Sequence, residues 1–523
     1  MKTAYSKVSR DSFTLKLFAF TLLFLVNKAD SQTFPPGLVA KFGVDADLTS
    51  DERLSGTFTA AGSHDWFKKD NGTGLGMFDT VGKSYYSSQI AAGKNISFTK
   101  RIQYASYSIQ SNLLMLDGAY SRDNFGVAST TLSSDKTIFY NGAGGNRNYG
   151  NPAIWQTVPT GDAIPAKTDI IDAFIHMRRN GTSIQIGNPS NLVVYFAAST
   201  LGTDGERYID FELYKTALSY NSSTGIFSGA GSLTTGGRDI WEFNADGSLK
   251  SFGGISLSFS FNSSQVSDIS IYIWVPYLTY STVVPANFDF VAGEWSGSNT
   301  SGYGWAKIKA KNGAALPAYG AVNTSTTIGP VWGTNSKDLG SMAGGANYYS
   351  TSYGAGQFAE AAIDLTALGI DPALATTFDK CTPPYRRVLV KSRSSNSFSS
   401  ALQDFIGPFE FLDAPTVPAT IINPGPVTCS QTNRVLLPAN NITGADYVWS
   451  TSDGTIVSGQ NSASAVISKG GTYKLTASLY EGCSPTTDSI IIAEDAYKPI
   501  AAATYVGSIT ASSLDSVTLL GGD

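Results

Sequence analysis

Three runs of the chain, residues 208–214 (YIDFELY), 255–261 (ISLSFSF) and 269–275 (ISIYIWV), carry apolar side chains at every second position. Successive side chains of a strand point to opposite faces. Each run therefore has one face to bury and one to leave to solvent, which a helix could not arrange. Residues 192–197 (LVVYFA) add a strand-length apolar run, and turn formers separate the runs, as in Gly202-Thr203-Asp204-Gly205 and Asn244-Ala245-Asp246-Gly247. Charged residues make up only 15% of the chain, too few for long soluble helices, while 53 glycines suit many short strands joined by turns. The reading is all-β: a large N-terminal β-sandwich of jelly-roll type, with short helices expected only at 361–369 and 398–405.

At 523 residues the chain exceeds one core. A net charge of −5 lacks the basic footprint of a nucleic-acid binder. Lys2, Lys7, Arg10 and Lys16 precede the apolar run 17–26, and Ala29-Asp30-Ser31 supplies the small residues of a cleavage site before Gln32. Residues 1–31 thus read as a secretory signal peptide. Ten apolar residues reach about 15 Å as a helix, half a bilayer core, so the run does not read as a membrane anchor. No transmembrane segment is expected in the mature chain, and the expected location is extracellular, at the cell surface.

The mature chain divides by punctuation. Residues 32–412 form the sandwich region, with a weakly marked division near Pro285, and a Pro-spaced linker at 414–418 leads into a different unit at 413–494. There Cys429, Trp449 and Cys483 have the spacing of an immunoglobulin-type sandwich, in which Trp packs beside an inter-sheet disulfide. A Cys429–Cys483 disulfide is expected, with Cys381 left over. Tyr473 stands where a corner tyrosine would. At an offset of 82 residues Asp413-Ala414 recurs as Asp495-Ala496, and Val427-Thr428-Cys429-Ser430 aligns with Ile509-Thr510-Ala511-Ser512. This marks 495–523 as the start of a second Ig-like repeat. Two strands alone are not stable, so the expectation is a fragment of a longer protein.

Residues 447–450 (YVWS), 453–456 (DGTI), 471–476 (GTYKLT) and Gly482-Cys483 resemble the PKD/Ig-like repeats of very large secreted proteins of Bacteroidetes bacteria. Residues 43–47 (GVDAD), 208–213 (YIDFEL) and 386–394 (RRVLVKSRS) are similar to leader regions of such proteins. The resemblance implies outer-membrane passage by type IX secretion and a role in surface adhesion or gliding. The C-terminal sorting domain of that group has no counterpart in this sequence.

Four sets of residues carry candidate chemistry. Asp210 and Glu212 share one face of the 208–214 strand, about 6.5–7 Å apart, a separation at which sandwich-type glycosidases place an acid and a nucleophile; the alternative is a polar sheet face or a cation-binding pair. Asp45, Asp47 and Asp51 form an oxygen-rich loop of the kind that holds calcium, the commoner outcome being solvated acids. Trp295, Tyr303 and Trp305 are candidates for a sugar-stacking platform, the rival reading being core aromatics. Cys429 and Cys483 are the disulfide pair. Apart from calcium no cofactor is expected. With only two histidines and no nucleophile elbow, Ser-based hydrolysis is not indicated.

The function expected is a non-enzymatic secreted surface protein. Its N-terminal module binds a surface polysaccharide or another surface protein, and Ig-like repeats serve as stalk. The alternatives are a secreted glycoside hydrolase using Asp210 and Glu212, and a purely structural leader of a surface filament.

Overall fold

The alternating runs become neighbours in one sheet. In a computed structural model the described residues are 34–50, 63–69, 74–125, 135–140, 146–157, 164–297, 302–340, 348–412, 417–442, 445–479, 483–495, 502–506 and 518–522. Residues 1–31, read as a signal peptide, Asp51, and most of 495–523, read as the start of a second repeat, lie outside them. The first large sheet has the order Phe288–Gly297, Tyr303–Ala310, Val266–Pro276, Ile255–Phe261, Arg207–Tyr214, Arg387–Arg393, Leu402–Glu410. Every neighbouring pair in it is antiparallel. The strands either side of Pro285 sit in this same sheet, so the chain does not divide there. The second sheet follows the path Ala318–Val322, Phe358–Asp364, Leu192–Thr200, Ile170–Arg179, Leu113–Arg122, Phe98–Arg101.

The two sheets close on each other through their apolar faces. Phe196 of the second meets Phe211 and Phe259 of the first, each at 5.3 Å between ring centres. Ile209, Phe211 and Leu213 from one strand and Ile255, Leu257 and Phe259 from the next are fully buried there. This accounts for half of the alternation.

The other half differs from expectation. The face carrying Asp210, Glu212, Ser256 and Ser258 is buried too. Segments around 146–155, 238 and 396–398 lie over it: Asn148 donates to Asp210 at 2.7 Å and to the Phe398 carbonyl at 3.1 Å, and Arg238 donates to the Asn148 and Gly150 carbonyls. A polar face can be enclosed when its groups find partners in the covering layer.

Helix is scarce, as composition requires. The expected helix at 361–369 is only the turn Leu365–Leu368, capped by the Asp364 side chain on the Ala367 N–H and ended by Gly369 at φ 85°. Residues 398–405 form no helix; strand Leu402–Glu410 takes their second half and pairs with Arg387–Arg393. Pairing with a buried central strand overrides a weak local preference.

The chain separates into two compact units, one of residues 1–103, 117–378 and 384–411, the other of 104–116, 379–383 and 412–523. In the second unit, Ile421–Ile422, Arg434–Pro438, Ala465–Lys469 and Thr455–Ser458 form one sheet, and Asp446–Thr451, Gly471–Ser478 and Thr486–Ile492 another. Alternation holds here as read: Tyr447 and Trp449 point in, Val448 out. Tyr473 is the corner tyrosine. Its hydroxyl donates to the Lys469 carbonyl at 2.5 Å and accepts from the Thr455 N–H at 2.9 Å.

The disulfide in this unit is a correction. It joins Cys381 to Cys483, 102 residues apart with Cα atoms 5.2 Å apart, rather than Cys429 to Cys483. Cys429 follows the two-residue strand Val427–Thr428, whose partner is Glu494–Asp495, and is exposed rather than placed between the sheets beside Trp449. Cys483 is met by a loop that returns from far upstream. Spacing within the repeat carried no trace of that loop.

Candidate functional site: an acidic loop, an aromatic cleft and a buried ion network

Asp210 and Glu212, the candidate acid and nucleophile of the glycosidase alternative, are locked in place. Asp210 and Glu212 have no exposed surface. The Arg238 Nε donates to Glu212 at 2.5 Å, and Lys391 pairs with its other oxygen. The Arg393 Nε donates to Asp210 at 2.8 Å while its other nitrogens hold Ser258 and the carbonyls of residues 395–397. Burial by itself raises Glu212, but the adjacent Arg238 and Lys391 outweigh it and hold the carboxyl below its ordinary range. A general acid needs the opposite shift and an approach for substrate. The pair is a structural ion network, and its catalytic assignment is withdrawn on that ground.

The aromatic candidates separate. Trp305 is fully buried, stacked edge-on to Trp274 at 5.2 Å and donating to the Asn148 carbonyl at 2.9 Å. It faces Trp274 across the strand pair, with the Arg238 guanidinium over both rings. Tyr303 is half-buried and packs on the same cluster. Trp295 is different: it lines an open cleft of about 290 Å³ with Tyr149, Tyr272, Glu294 and Phe398. Tyr272 and Phe398 stack on each other at 3.7 Å in its wall, both largely buried. Tyr277 meets Trp295 edge-on at 5.0 Å. Phe398 and Tyr272 escaped the sequence reading because they come from separate strands and loops; only tertiary pairing sets them beside Trp295.

The acidic loop is assembled from more than the predicted residues. Asp45 and Asp47 converge with Asp65, their carboxylate oxygens within 4.8 Å of one another. Asp51, the third expected ligand, lies outside the described residues. The loop is shaped by Glu360, whose Oε1 accepts the N–H groups of both Asp45 and Ala46 at 2.5 Å and whose Oε2 accepts the Trp66 indole N–H at 2.9 Å. Ala46, which gives one of these N–H groups, has a left-handed φ of 64°. Asp65 came into reach through Phe42 bridging to His64, a long-range pairing.

Four carboxylates then repel in a partly dry site. Burial pushes Asp45 up to about 6. Burial and then the Asp45 charge push Asp47 up to about 7, and burial followed by the neighbouring carboxylates raises Asp65 well above its ordinary value. Asp45, Ala46 and Asp47 border a cleft of about 360 Å³, which gives the loop access to solvent. Oxygen donors at this separation suit a hard cation such as calcium, with ligands at about 2.3–2.6 Å from the ion.

No protein-family model matches the chain, and no curated protein matches it. Among solved structures it is similar to the BSP domain of a biofilm-associated protein, at 12% identity and TM-score 0.12, over 60% of this chain and 65% of that one. It is also similar to domains 4–9 of the surface layer protein SbsC, at 9% identity and TM-score 0.11, over 56% of this chain and 46% of that one. Scores this low carry no inference about fold or role. No helix among the described residues is long and apolar enough to cross a membrane.

Proposed function

We propose that the chain is an exported, non-enzymatic surface protein whose large sandwich binds carbohydrate, with the Ig-like unit as a spacer. The observation that carries the reading is the open cleft lined by Trp295, Tyr272, Phe398 and Tyr149 beside Glu294. Sugar rings present flat C–H faces that stack on aromatic rings, while a nearby carboxylate accepts hydrogen bonds from hydroxyls. The leader at residues 1–31 supports export. The resemblance of 414–494 to PKD/Ig-like repeats supports a surface setting, and with it type IX secretion and adhesion.

The test is binding of the full chain to a glycan array, followed by titration of any hit against Trp295→Ala. A loss of about tenfold or more in affinity, with thermal unfolding unchanged, is the expected result. Retained binding in the variant removes the cleft from the proposal, and an array with no hits favours a purely structural leader. Release of new reducing ends from the bound polysaccharide would overturn the non-enzymatic part.

A further inference from the structure

A second set of carboxylates lies deep in the sandwich, away from the acidic loop. Asp123 follows the strand Leu113–Arg122 of one sheet, and Asp404 lies in the strand Leu402–Glu410 of the other. Asp135 completes the group. All three are buried, and they offer carboxylate oxygens within 4.8 Å of one another. Asp169, also fully buried, stands close enough for its charge to act on Asp404.

The hydrogen bonds available do not neutralise this charge. Asp404 accepts the Ile170 and Phe405 N–H groups, and Asp123 accepts that of Asn124. Asp135 Oδ1 accepts the Thr137 N–H at 2.8 Å, and the Thr137 hydroxyl, 2.8 Å from Asp123 and 2.5 Å from Asp135, has one proton to give. The Asp135 Oδ2, in a residue with no exposed surface, receives no hydrogen bond from any described residue, and neither does the buried Asn124 Oδ1 next to Asp123. Among the described residues, the Arg122 cation that acts on Asp123 is directed elsewhere, to Asn335 and to Asp172 at 3.5 Å. An orphaned buried carboxylate oxygen among like charges is costly unless a proton or a cation neutralises it.

We propose that Asp123, Asp135 and Asp404 bind a calcium ion that ties the two sheets of the sandwich together. Oxygens within 4.8 Å of one another fit around a single ion with ligands at about 2.3–2.6 Å, and the all-oxygen donor set selects a hard cation over zinc or copper. Burial raises Asp123 and Asp404 well above their ordinary values and Asp135 to about 6, because a dry site disfavours the charged carboxylate. The role is structural, because the site joins strand ends and lies inside the protein. It is independent of the carbohydrate cleft.

The test uses the full chain stripped with chelator, then given calcium chloride alone at about 5 mM, above the roughly 0.1–1 mM range of extracellular calcium modules. Thermal unfolding and native mass spectrometry are read for the wild type, Asp135→Asn and Asp47→Asn. Calcium should raise Tm by several degrees in the wild type and by a similar amount in Asp47→Asn, and by clearly less in Asp135→Asn, which should carry one ion fewer than the wild type. Without metal, Asp135→Asn should unfold at a higher temperature than the wild type, since it removes an uncompensated buried charge. A wild type indifferent to calcium, a response in Asp135→Asn as large as the wild type's with no ion lost, or a metal-free Asp135→Asn less stable than the wild type each overturns the proposal.

Discussion

The Nε of Arg178 donates to Nε2 of His176 at 2.8 Å, two residues apart on one face of a buried strand. With Nε2 accepting, the imidazole proton sits on Nδ1, which meets the Asp117 carbonyl at 2.7 Å. A second proton would place His176 against the guanidinium. Burial first, and then Arg178, lower its pKa well below the ordinary value.

The unfolded chain therefore binds a proton at this histidine below about pH 6.5 while the folded chain does not, and stability contributed by neutral His176 falls as pH drops below that value. Imidazole resonances followed by NMR should show His176 neutral throughout the pH range in which the fold persists. A midpoint near 6.5 in the folded protein would contradict the arrangement.

Glu212→Gln leaves Lys391 and Arg238 buried without their carboxylate. Breaking a buried pair by removing one partner costs about 3–5 kcal/mol. Urea unfolding should show a loss of that order. A change below about 1 kcal/mol would mean that water reaches the network and screens it.

Trp305→Ala should act on stability and not directly on a ligand. The ring is fully buried against Trp274 and Phe398, and its removal should cost about 3–5 kcal/mol. Far-UV and fluorescence-monitored unfolding of this variant beside Trp295→Ala separates the core tryptophan from the cleft tryptophan: only the first should shift the midpoint strongly.

Non-reducing peptide mapping should recover Cys381 linked to Cys483. Cys483→Ser should cost the second unit about 2–5 kcal/mol, as expected for closing a long loop, while Cys429→Ser on the surface should change little. Recovery of a Cys429–Cys483 peptide instead would restore the pairing read from spacing.

Local pattern is strong where a residue's surroundings are set by its immediate neighbours. Trp449 and Tyr473 were legible because an Ig-like unit builds its core from alternation along short strands, and the corner tyrosine reaches only to Lys469 and Thr455. Asp210 and Glu212 are legible as sharing one strand face, while alternation leaves open whether they form a catalytic pair or a polar sheet face. The cations that silence them, Arg238, Lys391 and Arg393, come from 26, 179 and 183 residues away.

The sequence by itself determined that this chain is built of strands, with alternation assigning each side chain to a face, because that period is a property of the backbone. Which face meets water, which carboxylates meet cations and which cysteine meets Cys483 were decided by the tertiary structure. Burial and electrostatics depend on whatever the fold brings within a few ångströms. For Asp123, Asp135 and Asp404 that is one another, with no cation among the described residues placed to offset all three.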